Sequence, residues 1–208
     1  MSKKGIIVAG GAAAVVAPEA VDFDGTNDYL RKSSDLTGNA DGKTFTVSLF
    51  IYADRALTTG GQVYNVTAGG SEFAVEYDAS GKELKILGEN TGGSTILSYQ
   101  SPTGSLAIDT WTHVLASFNL ANSGQRLVYI NDADAGGSWS NFADDEIDFT
   151  ASIHTIMATS SPSQMIEGRL AHLYLDYTYR DLSVEANRRH FINADLTPNA
   201  AGMDALSP

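Results

Sequence analysis

The spacing of its apolar residues limits what this chain can become. Thr44–Tyr52 alternates, with Phe45, Val47, Leu49 and Ile51 on one face and Thr46 and Ser48 opposite. That two-residue period belongs to a β-strand. Comparable segments recur at 62–67, 72–77, 83–88, 95–100, 111–119, 125–130 and 153–158, with turn residues such as Gly92-Gly93 and Asn122-Ser123-Gly124 between them. Roughly a dozen short strands, with a turn signal about every ten residues, predict an all-β, two-sheet antiparallel sandwich. Val21–Phe23 and Asp28–Arg31 read as a hairpin around the Asp24–Asn27 turn, and Gly136–Asp148 as the longest irregular loop.

The segment from Gly168 to Ile192 closes the pattern. Leu170, His172, Tyr174 and Asp176 alternate with Ala171, Leu173, Leu175 and Tyr177. Both sets are bulky, which predicts a strand well inside a sheet. The period then breaks into one short C-terminal helix, with Ser183 as its cap, Glu185 in its first turn and Arg188, Arg189 and His190 at its far end. An extended tail follows at 194–208.

Ahead of the strands, residues 1–19 form a Gly/Ala-rich arm carrying Ile6, Ile7, Val8, Val15 and Val16. Its charged start and apolar run are also those of a secretory signal. The run is weakly hydrophobic and too short to span a bilayer, so the expectation here is a retained docking arm. The five apolar side chains would then form an assembly interface. The chain has no cysteine, which rules out a disulfide framework and thiolate metal sites. Its formal net charge of −12 is dispersed along the sequence and would repel a phosphate backbone, so nucleic acid is not an expected partner.

The order of several motifs resembles the concanavalin A-like, laminin G-like jelly-roll superfamily. They are VDFDGTNDYL at 21–30, KTFTVSLFI at 43–51, WTHV at 111–114, LVYIND at 127–132 and GRLAHLYLD at 168–176. The resemblance covers about residues 20–193 and implies a jelly-roll sandwich with loops along a concave face and rim. Residues 179–191 (YRDLSVEANRRHF) further resemble the version of this domain found in bacteriophage structural proteins. Neither resemblance implies one activity, because this fold carries many.

Candidate chemistry is sparse. Glu146-Ile147-Asp148 is similar to the carboxylate strand of laminarinase-like glycosidases, but the next positions are Thr150, Ala151 and Ser152. The second acid that a retaining mechanism needs is missing, so no catalytic residue and no enzyme are expected. Calcium, which family members hold at the rim with oxygen ligands, could draw on Asp22, Asp24, Asn27 and Asp28, on Asp132 and Asp134, or on Asp144 and Asp145. The same residues are ordinary turn formers, so no metal site and no cofactor are assigned. His113 and His172 fall on predicted core strands and read as packed, hydrogen-bonded histidines. Trp139 offers a flat face for a sugar ring, with Asn141, Asp144 and Asp145 as acceptors of sugar hydroxyls. The alternative is that Trp139 and Phe142 fold back over a sheet edge.

The first functional expectation is a non-enzymatic virion structural protein, a capsid decoration or tail-associated part, displaying its sandwich on the particle surface through the arm. Its partners would be other virion proteins. The second is a carbohydrate-binding adhesin or receptor-binding module, secreted or on a cell surface, engaging a host glycan with or without calcium. Homo-oligomerisation is left open.

Overall fold

The computed structural model describes residues 18–36, 38–54, 60–68, 72–161 and 163–206. Thirteen strands and two short helices follow in order: β1 (Val21–Asp24), β2 (Leu30–Lys32), β3 (Thr44–Ala53), β4 (Gly61–Thr67), β5 (Phe73–Asp78), β6 (Glu83–Glu89), β7 (Thr95–Gln100), β8 (Thr112–Asn119), β9 (Arg126–Ile130), β10 (Ala133–Asp134), β11 (Ser138–Phe142), β12 (Ile153–Ile156), β13 (Glu167–Asp176), α1 (Glu185–Arg188) and α2 (Ala200–Asp204). A six-stranded sheet runs β1-β13-β3-β8-β9-β10 and a seven-stranded sheet runs β11-β7-β6-β5-β4-β12-β2. Every ladder within them is antiparallel. This is the expected two-sheet jelly-roll sandwich. The apolar arm residues Ile6, Ile7, Val8, Val15 and Val16 lie outside the described residues.

The core between the sheets is built on the alternation of β3. Phe45, Val47, Leu49 and Ile51 all face inward and are buried. Phe45 sits at the centre of an aromatic cluster, its ring centroid 4.5 Å from Phe73, 5.4 Å from Phe149 and 5.6 Å from Phe118.

The opposite face of β3 is buried as well, which its polar residues did not foretell. Thr46 and Ser48 have no exposed surface. Residues 178–206 return over this sheet, where Leu182, Phe191 and Met203 pack on Leu115, and Ile192 packs with Phe50, Trp111 and Ala171. The hydroxyls are satisfied: Thr46 Oγ1 pairs with Ser117 Oγ at 2.9 Å and donates to the Thr178 carbonyl at 2.6 Å.

Four local expectations change. The 21–31 hairpin is not one, since β1 pairs with β13 while β2 pairs with β12 in the other sheet. The Asp24 carboxylate accepts the amides of Thr26, Asn27 and Asp28, forming a wide turn that carries the chain across the sandwich. The strand at 168–177 is out of phase with its simple alternation after Ala171. A bulge there, with His172 at φ +50°, brings Leu173 and Leu175 to the inter-sheet core and sends Tyr174 outward to Phe191. Ser183 does not cap α1; its Oγ and amide N–H both donate to Asp181 Oδ1. The tail is not wholly extended, because Asn199 Oδ1 accepts from the Gly202 amide and caps the second helix, which buries Met203.

Gly168 lets β13 pair on both sides. At φ +154° it adopts a backbone open chiefly to glycine, and a Cβ there would lie 2.1 Å from the Tyr52 carbonyl oxygen.

The C-terminal cover is also pinned electrostatically. Asp132 receives Arg188 Nε on one oxygen and Arg189 Nη2 on the other, each at 2.6 Å. Burial raises its carboxyl pKa, but the two arginines outweigh that and hold it below its ordinary value. Asp132→Asn should therefore cost about 2 kcal/mol in urea unfolding at pH 7, short of a fully buried pair because the site is partly wet. A folded pKa below the unfolded one stabilises above the unfolded pKa, and the gain disappears as pH falls through the folded pKa. The difference between wild type and variant should thus shrink below about pH 4.

Candidate functional site

The Gly136–Asp148 segment, read as irregular, contains the edge strand β11. Gly137, at φ +91°, makes its close approach to β7 feasible, since a Cβ would sit 2.4 Å from the Gln100 carbonyl oxygen. Trp139 then pairs with Tyr99, their ring centroids 4.6 Å apart, and meets Phe142 edge-on at 5.5 Å. The Arg126 guanidinium from the other sheet lies 5.5 Å from the Trp139 centroid and 5.2 Å from that of Phe142. Trp139 and Phe142 both pack on the inter-sheet core and close the open edge of the sandwich.

A register shift between Trp139 and Asn141 puts the two on opposite faces, whereas simple alternation would put them on the same one. Asn141 is exposed, and its Nδ2 donates to the Thr95 carbonyl. Asp144 pairs with Lys43 at 2.8 Å. Asp145 accepts from Asn90 Nδ2 at 2.7 Å and from the Glu146 amide at 2.9 Å; Asn90 first, then that amide, hold its carboxyl below the usual range. The structure therefore gathers Asn141, Asp144 and Asp145 where residues 41–43 and 90–95 meet, and turns Trp139 away from them.

The outward face of β11 continues a polar surface that the sequence did not mark out. Across β4, β5, β6 and β7, Gln62, Glu76, Lys85 and Gln100 stand in register, and the next outward row brings Ser98 beside Asn141. Ser140 Oγ donates to Ser98 Oγ at 2.9 Å. Gln62 Nε2 donates to Glu76 Oε1 at 3.1 Å, and Lys85 forms an ion pair with Asp78. Gln62, Glu76, Asp78 and Lys85 line a groove of about 230 Å³ at the β4–β6 end of this face. The signal was present as alternate polar positions, but only the strand register assembles it.

The other candidates take structural roles. Asp24 organises its turn, Asp132 holds two arginines, and Asp134 Oδ1 accepts the Gly136 amide at 2.9 Å. Among the described residues no three His, Asp or Glu side chains are grouped to hold a metal ion. Glu146 and Asp148 flank the buried Ile147, which makes an isolated bridge to Gly42, so they do not project from a ladder of strands. Burial first, then Asp41 and Glu72, raise the Asp148 carboxyl. No described helix is long and apolar enough to cross a membrane.

The chain belongs to the concanavalin A-like lectin/glucanases superfamily, whose laminin G-type model matches residues 24–179. Among solved structures it is similar to a candidate carbohydrate-binding protein from Bacteroides ovatus, with a TM-score of 0.59, 15% identity, 81% of this chain covered and 46% of that one. It is also similar to the heptameric SAP-like pentraxin of Limulus polyphemus, with a TM-score of 0.55, 14% identity and coverage of 82% and 76%. A third is the ligand-binding domain of botulinum neurotoxin serotype D in complex with N-acetylneuraminic acid, with a TM-score of 0.54, 14% identity and coverage of 82% and 45%. The chain thus spans less than half of the first and third of these. At such identities the likeness shows the fold alone. No curated protein sequence matches the chain.

Proposed function

We propose that this chain is a non-enzymatic recognition module that binds carbohydrate on the outward face of β6, β7 and β11. The observation that carries this reading is the polar surface running from Lys85 and Gln100 through Ser98 and Ser140 to Asn141, with Asp144 and Asp145 at its rim. Fixed amides, hydroxyls and carboxylates at sheet spacing suit sugar hydroxyls, each of which both donates and accepts. The carbohydrate-binding structures with the same sandwich support the class of ligand.

A glycan array probed with the full chain tests the reading, and binding to a defined set of oligosaccharides is the expected result. Asn141→Ala should then weaken the best of them about tenfold, the worth of a well-placed hydrogen bond or two, while losing the exposed Nδ2 bond to the Thr95 carbonyl should cost no more than about 1 kcal/mol of stability. Trp139→Phe, which keeps an aromatic ring against Tyr99 and Phe142, should leave affinity within about twofold if Trp139 supports β11 from beneath. A loss as large as that of Asn141→Ala would instead make the indole a stacking platform.

A second reading concerns where the module is displayed. The resemblance of residues 179–191 to bacteriophage structural proteins favours a virion surface, with the arm at 1–19 attaching it to capsid or tail proteins. Deleting residues 2–19 should leave the sandwich folded and abolish incorporation into particles. Normal incorporation of the deleted chain would rule this out.

A further inference from the structure

A second cleft lies at the sandwich edge opposite β11, between the β4–β12–β2 side of one sheet and β13 of the other. Its volume is about 300 Å³. Tyr64, Ile156 and Leu30 follow one another across β4, β12 and β2 in register, so they share its wall, and Leu36 and Leu175 complete the apolar lining. An apolar cavity of about 150 Å³ already accommodates a benzene ring, so this one has room for a two-ring body.

Arg31 and Lys32 also border it, and one polar pair sits within these walls. His154, 5% exposed, shares a hydrogen bond of 3.1 Å between its Nδ1 and the Tyr64 hydroxyl. Its Nε2 lies 3.4 Å from Asp35 Oδ1 but is not aligned to it, and among the described residues it has no hydrogen-bond partner. A buried ring nitrogen without a partner costs free energy that a ligand could recover. Burial, outweighing the contact with Asp35, lowers the imidazole pKa and keeps the ring neutral at pH 7. Beside Nε2 the Asp35 carboxylate is offset by Lys32, whose Nζ donates to the Asp35 carbonyl at 2.6 Å, so the surroundings favour neither sign of charge in a head group.

We propose that this cleft is a second binding site, distinct from the polar face, for a small neutral molecule with a fused- or single-ring apolar body and one hydroxyl or carbonyl oxygen. The ring packs on Leu30, Ile156 and Leu175, and the oxygen meets His154 Nε2. This site is independent of the carbohydrate reading.

The test is a titration of the methyl-labelled full chain with 1-naphthol, followed by NMR, with naphthalene as the comparison. Saturable shifts should be confined to the methyls of Leu30, Leu36, Ile156 and Leu175, and 1-naphthol should bind about tenfold tighter than naphthalene. Leu30 is 51% exposed, so Leu30→Trp should plug the mouth and abolish the shifts while the core methyls of Ile86 and Leu97 stay in place. Absent shifts, shifts centred elsewhere, or naphthalene binding as tightly as 1-naphthol would each overturn the proposal.

Discussion

Acidification from pH 6.5 toward pH 4 should cost this protein stability at up to about 1.4 kcal/mol per pH unit through one buried imidazole. His113 on β8 has no exposed surface. Its Nε2 shares a hydrogen bond of 2.9 Å with Ser48 Oγ, its ring centroid lies 4.5 Å from that of Phe50, and among the described residues Nδ1 has no partner. Burial pushes its pKa down to about 3, against a weak opposing pull from Asp132. Between that value and about 6.5 the unfolded chain takes up a proton that the folded chain refuses, so stability rises with pH and falls on acidification. His154, also lowered by burial, adds a slope of the same sign. Urea midpoints measured from pH 7 to pH 4.5 should therefore decline, and His113→Gln should flatten the decline while lowering stability at pH 7. An unchanged slope in His113→Gln would contradict the assignment.

Phe45→Ala should be the most damaging apolar truncation in the inter-sheet core, at about 3–5 kcal/mol. The ring is 1% exposed and touches aromatic groups from both sheets and from the closing segment: Phe73 on β5, Phe118 on β8, Phe149, and Tyr177 at 6.3 Å. Removing it opens a cavity walled by rigid rings, which cannot collapse into the space as flexible aliphatic side chains would. Phe45→Leu, which keeps much of the volume, should cost less than half as much. Guanidinium unfolding measures both. A loss under about 1 kcal/mol for Phe45→Ala would mean that the two sheets are not joined through this ring.

Most of the fold was legible because the inward residues of β3 are Phe45, Val47, Leu49 and Ile51 in strict alternation, a pattern only a strand can bury. Where the structure departs from the pattern, the cause is non-local. The bulge at His172 shifts Tyr174 outward, and nothing in the order of Leu, Tyr and His announces a positive φ there. Thr46 and Ser48 look like solvent-facing positions and are covered only because residues 178–206 return over them. Asp24 and Asn27 looked like hairpin residues, yet three amides on one carboxylate open the turn enough to change sheets.

The candidate site was half legible. Asn141, Asp144 and Asp145 were recognisable as polar rim residues, and the structure gathers them at one corner. The register shift that separates Trp139 from them, and the in-register row of Gln62, Glu76, Lys85 and Gln100, depend on how strands distant in sequence are paired. Residue type alone carries neither.

The most direct measurement is calorimetric titration of the strongest array oligosaccharide into the full chain, with and without a calcium chelator, followed by recovery of the sugar. Saturable binding that weakens in Asn141→Ala, with the oligosaccharide recovered intact, is the expected result, and the chelator arm reports whether calcium takes part. Cleaved sugar, or no saturable binding in either condition, would contradict a non-enzymatic carbohydrate-binding module.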